Sequence, residues 1–136
     1  MLSLDQFSAF AAQGYNRIPL ALQLLADFDT PLSVYAKLAN QPYSYLFESV
    51  HGGERWGRYS IIGLAAQQRL EVRGHIVQIY QHQQLIDEQT LDDPLAFIEQ
   101  YQQQFKVPVI EGLPRFRGGL VGYFAYETGR LFEKKL

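Results

Sequence analysis

The spacing of apolar residues in this chain changes period three times. The first forty residues are spaced for helices. Ser3 stands before Leu4, Phe7, Phe10 and Ala11, which share one face of a short helix that Gly14 ends. Pro19 opens a second helical pattern, with Leu20, Leu24 and Leu25 on one side. Thr30-Pro31 marks a third start. Threonine is a good N-cap, and proline at the first helical position gives up no needed N–H. Leu32, Tyr35 and Leu38 follow at helical spacing, and residues 40–42 stop that helix.

From Tyr43 the period shortens to two. Residues 43–50 and 58–64 read as strands joined across Gly52-Gly53. Residues 67–73 alternate, with Leu70 and Val72 on one face. Arg73-Gly74 makes a tight turn, and residues 75–80 run back as the partner strand. Asp87-Glu88 falls in a stretch that reads as loop. The helical period returns at Asp93, which caps a helix with Pro94 at its first position. Leu95, Ile98, Tyr101 or Gln102, and Phe105 form its buried stripe, while Gln100 and Gln102 to Gln104 face water. A loop at 106–114 leads to a last strand, 118–126, rich in glycine and aromatics. Antiparallel strand runs with segregated helices predict an α+β domain without internal repeat or linker.

Polar groups sit inside the first two strand patterns. Glu48, Ser49 and Arg58 interrupt apolar runs, and an unpaired buried polar atom costs about 1–3 kcal/mol. Their partners are either protein groups or a small polar ligand. Alternation puts Phe47 and Ser49 on one face and Glu48 on the other. On the second strand Arg58 and Ser60 share a face, opposite Tyr59 and Ile61. A zwitterionic amino acid needs an acceptor for its ammonium and donors for its carboxylate. Ser49 Oγ with neighbouring carbonyls suits the first, and the forked Arg58 guanidinium suits the second. Taken by residue type alone, the plainer arrangement is favoured: an internal salt bridge of Arg58 with Glu48 beside a core-edge serine.

Composition removes several classes. The 136 residues make about one domain, 47% hydrophobic, enough to bury roughly two-thirds of the unfolded surface. The formal net charge is −2, and Lys134-Lys135 is the one adjacent basic pair, so the basic footprint of a nucleic-acid binder is missing. Without cysteine there is no disulfide, thiolate nucleophile or cysteine-ligated metal. His51, His75 and His82 lack the helical pairing of a zinc site and read as loop and edge residues. Ser49 has no base nearby in sequence and no glycine-flanked elbow. Asp92-Asp93 reads as a helix cap. Gly52-Gly53 and Gly118-Gly119 do not fit the dinucleotide fingerprint. Asp5, Gln6 and Gln13 break any signal-peptide pattern, and no apolar run approaches a membrane span of about 20 residues. The expectation is a soluble, cytoplasmic protein that binds neither nucleic acid nor membrane.

Three stretches carry a resemblance. They are YNRIPLALQLLADFDTPLSVYAKL (15–38), YSYLFESVHGGERWGRYSIIGL (43–64) and FRGGLVGYFAYETGR (116–130), spread from residue 15 to residue 130. They resemble, in order, the N-terminal part of the anthranilate synthase component I family of chorismate-utilising enzymes. Aminodeoxychorismate synthase shares weaker versions, and the full WGRYSIIGL string is more similar to the anthranilate enzymes. The resemblance implies an antiparallel β-sandwich with flanking helices. Residues 1–136 would be a truncated N-terminal regulatory domain, inactive alone, because the family's chorismate site, its Mg2+ ligands and its catalytic residues lie in a second half. No catalytic residue and no metal or cofactor site is therefore expected in this chain. The full-length family enzyme converts chorismate and glutamine-derived ammonia to anthranilate and pyruvate in tryptophan biosynthesis, with a glutamine amidotransferase subunit (component II) as partner.

In that family L-tryptophan is the feedback effector. The resemblance places its pocket at Phe47, Glu48, Ser49, Arg58, Tyr59 and Ser60, and associates Pro31 with feedback sensitivity. Phe47 stands where the family more often has leucine, which keeps the pocket apolar and changes its shape. Two other readings fit the same residues: a stand-alone amino-acid-binding module, and the equivalent part of aminodeoxychorismate synthase.

Overall fold

Local capping chemistry sets the helix boundaries in the computed structural model, which describes residues 2–49 and 59–133. Helix α1 (Leu4–Ala12) begins at a reciprocal pair: Ser3 Oγ accepts from Gln6 N, and Gln6 Oε1 accepts from Ser3 N, at 3.2 and 3.0 Å. Helix α2 (Pro31–Leu38) repeats the device with Thr30 and Ser33. Helix α3 (Pro94–Gln103) is capped by Asp93, whose Oδ1 accepts from Leu95 N and Ala96 N at 3.1 and 2.9 Å. Removing that carboxylate orphans two N–H groups. Asp93→Ala is expected to cost about 1 kcal/mol, read as a lower thermal midpoint with Asp93→Asn close to the parent.

The strands form two antiparallel sheets. β1 (Tyr45–Glu48) pairs with β2 (Ser60–Gly63). β3 (Gln68–Arg73), β4 (Ile76–Gln81) and β5 (Gln84–Thr90) lie side by side in that order. Gly74, at φ 60°, makes the β3–β4 turn. His82 and Gln83 hold φ of 46° and 70° between β4 and β5, the left-handed pair of a two-residue hairpin. A 3-10 turn (Tyr126–Thr128) and helix α4 (Gly129–Phe132) follow. The class is α+β, as the periodicity predicts. No helix among the described residues is long and apolar enough to cross a membrane.

The chain divides into two compact units. One holds residues 1–23, 74–76 and 90–136, the other residues 24–73 and 77–89. In the first, Pro94, Tyr101 and Pro108 are buried. There Asn16 grips Lys106 through backbone and side chain, its Oδ1 accepting from Lys106 N at 2.8 Å. In the second, Ala39, Val77 and Ile79 are buried.

Four expectations change, and one open choice, in α3, is settled. Residues 17–26 form no helix, turn or bend. At about 100° per residue, a helix would set Leu22 opposite Leu20 and leave no polar face. Residues 116–125 form no strand; Gly118 and Gly119 hold φ of 119° and 151°, outside the strand region. Asp87-Glu88 lies in β5 and not in a loop, because pairing with β4 defines that strand. In α2, Leu32 and Leu38 point outward, while Val34, Tyr35 and Ala39 turn inward. In α3, Tyr101 and not Gln102 completes the stripe.

Candidate functional site

The register of β1 against β2 decides which candidate side chains share a surface. Phe47 lies opposite Ile61, and Glu48 lies opposite Ser60. Opposed residues of an antiparallel pair project to the same face. Glu48 and Ser60 therefore share one face, and Phe47 takes the other. Ser49 and Tyr59 stand immediately beyond the two strand ends. Arg58 lies outside the described residues. Phe47, Glu48, Ser49, Tyr59 and Ser60 are all exposed. Among the described residues, this end of the ribbon carries an aromatic ring on one face and a carboxylate with a hydroxyl on the other.

Close packing holds the opposite end of that ribbon. Tyr45 lies across from Gly63, and its ring stacks beside Phe47 with centroids 4.9 Å apart. A Cβ on Gly63 would fall inside the Tyr45 ring. Gly63→Ala is thus expected to cost about 1–3 kcal/mol by overpacking, measured as a lower urea midpoint. An unchanged midpoint would mean that the ring swings away freely.

Helix α2 packs on both β1 and β2, and its ends are tied. At the N-terminus Asp29 Oδ1 accepts from Ser33 Oγ at 2.9 Å and from Lys37 Nζ at 2.5 Å. These bonds, Lys37 first and Ser33 second, hold the Asp29 carboxyl below its ordinary value. Pro31 sits exposed at the first helical position beside this cluster. On the inward side Tyr35 OH meets Ser44 Oγ at 3.1 Å. Ser44 gives its own proton to Gln41 O at 2.7 Å, so the tyrosine is the donor to Ser44.

The residue before Ser44 is anchored as well. Tyr43 adopts φ 63°, a left-handed conformation, and its carbonyl accepts from Ala66 N at 3.0 Å. The Arg69 guanidinium lies between two rings, 4.4 Å from Tyr43 and 3.9 Å from Tyr80, and its Nε donates to Glu71 Oε1 at 2.7 Å. The strand carrying Phe47 and Glu48 is therefore fixed at its start by Tyr43 and Ser44. Sequence reading missed Tyr35, Tyr43, Ser44 and Arg69 in this role. The available signal was the aromatic Tyr-Ser-Tyr run entering the strand.

Other chemistry is sparse. Among the described residues, no three His, Asp or Glu side chains gather in a metal-binding group. His75 Nδ1 is 3.0 Å from Leu91 O. A groove between α1 and residues 109–111 holds Gln6, Phe10 and Ile110, and none of the candidate residues.

No family model matches, and no solved structure matches. Among curated proteins, the chain is 54% identical over 135 residues to "Anthranilate synthase component 1" of Pseudomonas putida, covering 99% of this chain and 27% of that protein. The Neisseria meningitidis serogroup B protein of the same name is 58% identical over 133 residues, with 98% and 27% covered. The chain is homologous to part of anthranilate synthase component 1. The homology extends to the distant Aquifex aeolicus protein of that name, at 41% identity over 133 residues. The chain spans about a quarter of the length of these anthranilate synthase component 1 relatives. The Pseudomonas putida match covers 99% of the chain, so it takes in the sequence of α2 and of the β1–β2 ribbon.

Proposed function

We propose that the chain is the N-terminal, L-tryptophan-sensing portion of an anthranilate synthase component 1. The observation that carries this reading is identity of 53–58% to proteins of that name over 98–99% of the chain. The many exposed large apolar side chains, Leu25, Phe28 and Tyr123 among them, also suit a piece of a larger protein. The full enzyme, a lyase of the cytoplasm, would form anthranilate and pyruvate from chorismate. Its ammonia would come from a glutamine amidotransferase subunit. Chorismate, Mg2+ and the catalytic residues belong to the length outside this chain, and the chain alone would be inactive.

In this reading the Glu48–Ser60 end of the β1–β2 ribbon receives the effector. Phe47 and Tyr59 offer apolar surface to the indole ring. Ser49 Oγ and nearby carbonyls accept from the ammonium, and Arg58 holds the carboxylate. Glu48, with Ser60 on the opposite face of the ribbon, acts through Arg58 or through its backbone. Helix α2, opened by Pro31 and seated on both strands, links the site to the rest of the molecule. Coupling of this kind is worth about 1–3 kcal/mol and acts reciprocally between effector and substrate.

The test is an assay of anthranilate formation from chorismate and ammonia by the full-length protein, with and without L-tryptophan. Saturable inhibition by tryptophan is expected. No anthranilate at any tryptophan concentration would reject the enzyme assignment, and an active but tryptophan-insensitive enzyme would reject the sensing role.

A further inference from the structure

Residues 18–25 have the features of a β-strand and lack a strand partner among the described residues. The stretch IPLALQLL carries no charge. It runs without helix, turn or bend, and none of its residues has positive φ. Leu20, Leu22, Leu24 and Leu25 are 72, 67, 75 and 94% exposed. Among the described residues, backbone hydrogen bonding stops at Arg17, whose N–H donates to Lys106 O, and resumes where Asp29 N donates to Ala26 O. Period two puts Leu20, Leu22 and Leu24 on one face and Ala21, Gln23 and Leu25 on the other. Edges that stay open in natural proteins are guarded by charge, bulges or mid-strand proline. Here Pro19 stands at the start and leaves the next six N–H groups available.

We infer that residues 18–25 form a β-strand in the complete protein, paired with an extended, uncharged strand from polypeptide outside this chain. The inference rests on the proposal that the chain is one portion of a longer enzyme. Nearly three-quarters of the length of each relative lies beyond the match, which supplies the occupant. The leucine face sets its chemistry. A charged side chain opposite Leu20, Leu22 or Leu24 would interrupt a continuous leucine face and lose hydration beside it, so the partner strand is apolar on that side. Pairing by strand addition satisfies the open backbone groups and sets the partner's side chains beside the leucines on the same face.

Hydrogen exchange resolved by mass spectrometry tests this on the full-length protein, beside the 136-residue chain at low concentration. Peptides covering 18–25 are expected to exchange about a hundredfold or more slowly in the full-length protein than in the short chain. Equally fast exchange in both would overturn the inference. Protection in the short chain that grows with concentration, together with a dimer in sedimentation, would also overturn it and assign the strand to a second copy. Anthranilate formation is measured on the same full-length sample. An inactive protein with slow exchange at 18–25 rejects the functional reading and keeps the strand, while an active protein with fast exchange does the reverse.

Discussion

Truncating Tyr101 to alanine is expected to lower stability by about 3–5 kcal/mol, the usual cost of removing a buried aromatic ring. Tyr101 is 8% exposed on α3. Its ring lies 6.2 Å from Phe97 and 5.5 Å from Phe105, on the stripe that α3 turns inward. The Arg17 guanidinium covers Phe105 at 4.8 Å and extends that stack to the segment after α1. Burial pushes the Tyr101 hydroxyl above its ordinary pKa, against the opposing pull of Arg17. A domain with about 5–15 kcal/mol of total stability loses a large share of it by this one change. Urea denaturation followed by circular dichroism reads the effect, with Tyr101→Phe as the control that keeps the ring. A loss below about 1 kcal/mol would mean that the ring is not a core element.

The second large effect is functional. In the full-length enzyme, Ser49→Ala and Arg58→Ala are each expected to raise the tryptophan concentration for half-inhibition by about tenfold or more. This corresponds to loss of a charge-assisted hydrogen bond of about 1.5–3 kcal/mol. Turnover without tryptophan should stay near the parent value, because neither residue is assigned to the chemistry. Unchanged inhibition in both variants would remove these two residues from the site. Inhibition and basal turnover falling together would point to damaged folding, which the thermal midpoint of each variant checks.

Much of the fold is legible in the sequence where the cause is local. Ser3, Thr30-Pro31 and Asp93-Pro94 announce their helices because capping depends on a few adjacent atoms. Gly74 announces the β3–β4 hairpin because its positive φ favours glycine. The β4–β5 turn uses His82 and Gln83 in the same left-handed region, without glycine or asparagine. Nothing in the residue types flags it, so β5 is hidden, and adjacent Leu85-Ile86 blurs its alternation. Residues 18–25 fail for a different reason. Their leucines fit either period in part, and the choice between strand and helix belongs to a partner that the local sequence does not contain.

The site is legible to a similar depth. The Phe47-Glu48 strand and its return through Ser60 lie within the stretches that alternation predicts, and Ser49 stands just beyond the strand end. Alternation within each strand cannot give the register between them. The observed pairing sets Glu48 with Ser60 and Phe47 with Ile61, which divides the candidate residues between two faces. The bracing by Tyr35, Ser44 and Arg69 depends on contacts across 9 residues and more, beyond what spacing reveals.

The measurement that bears most directly on the sensing role is calorimetric titration of the full-length protein with L-tryptophan, with L-phenylalanine as the control. Saturable binding of one tryptophan per chain, weakened by Ser49→Ala and not matched by phenylalanine, is the predicted result. Absence of saturable binding, or tryptophan binding that Ser49→Ala and Arg58→Ala both leave untouched, would contradict the assignment of the effector site to the β1–β2 ribbon.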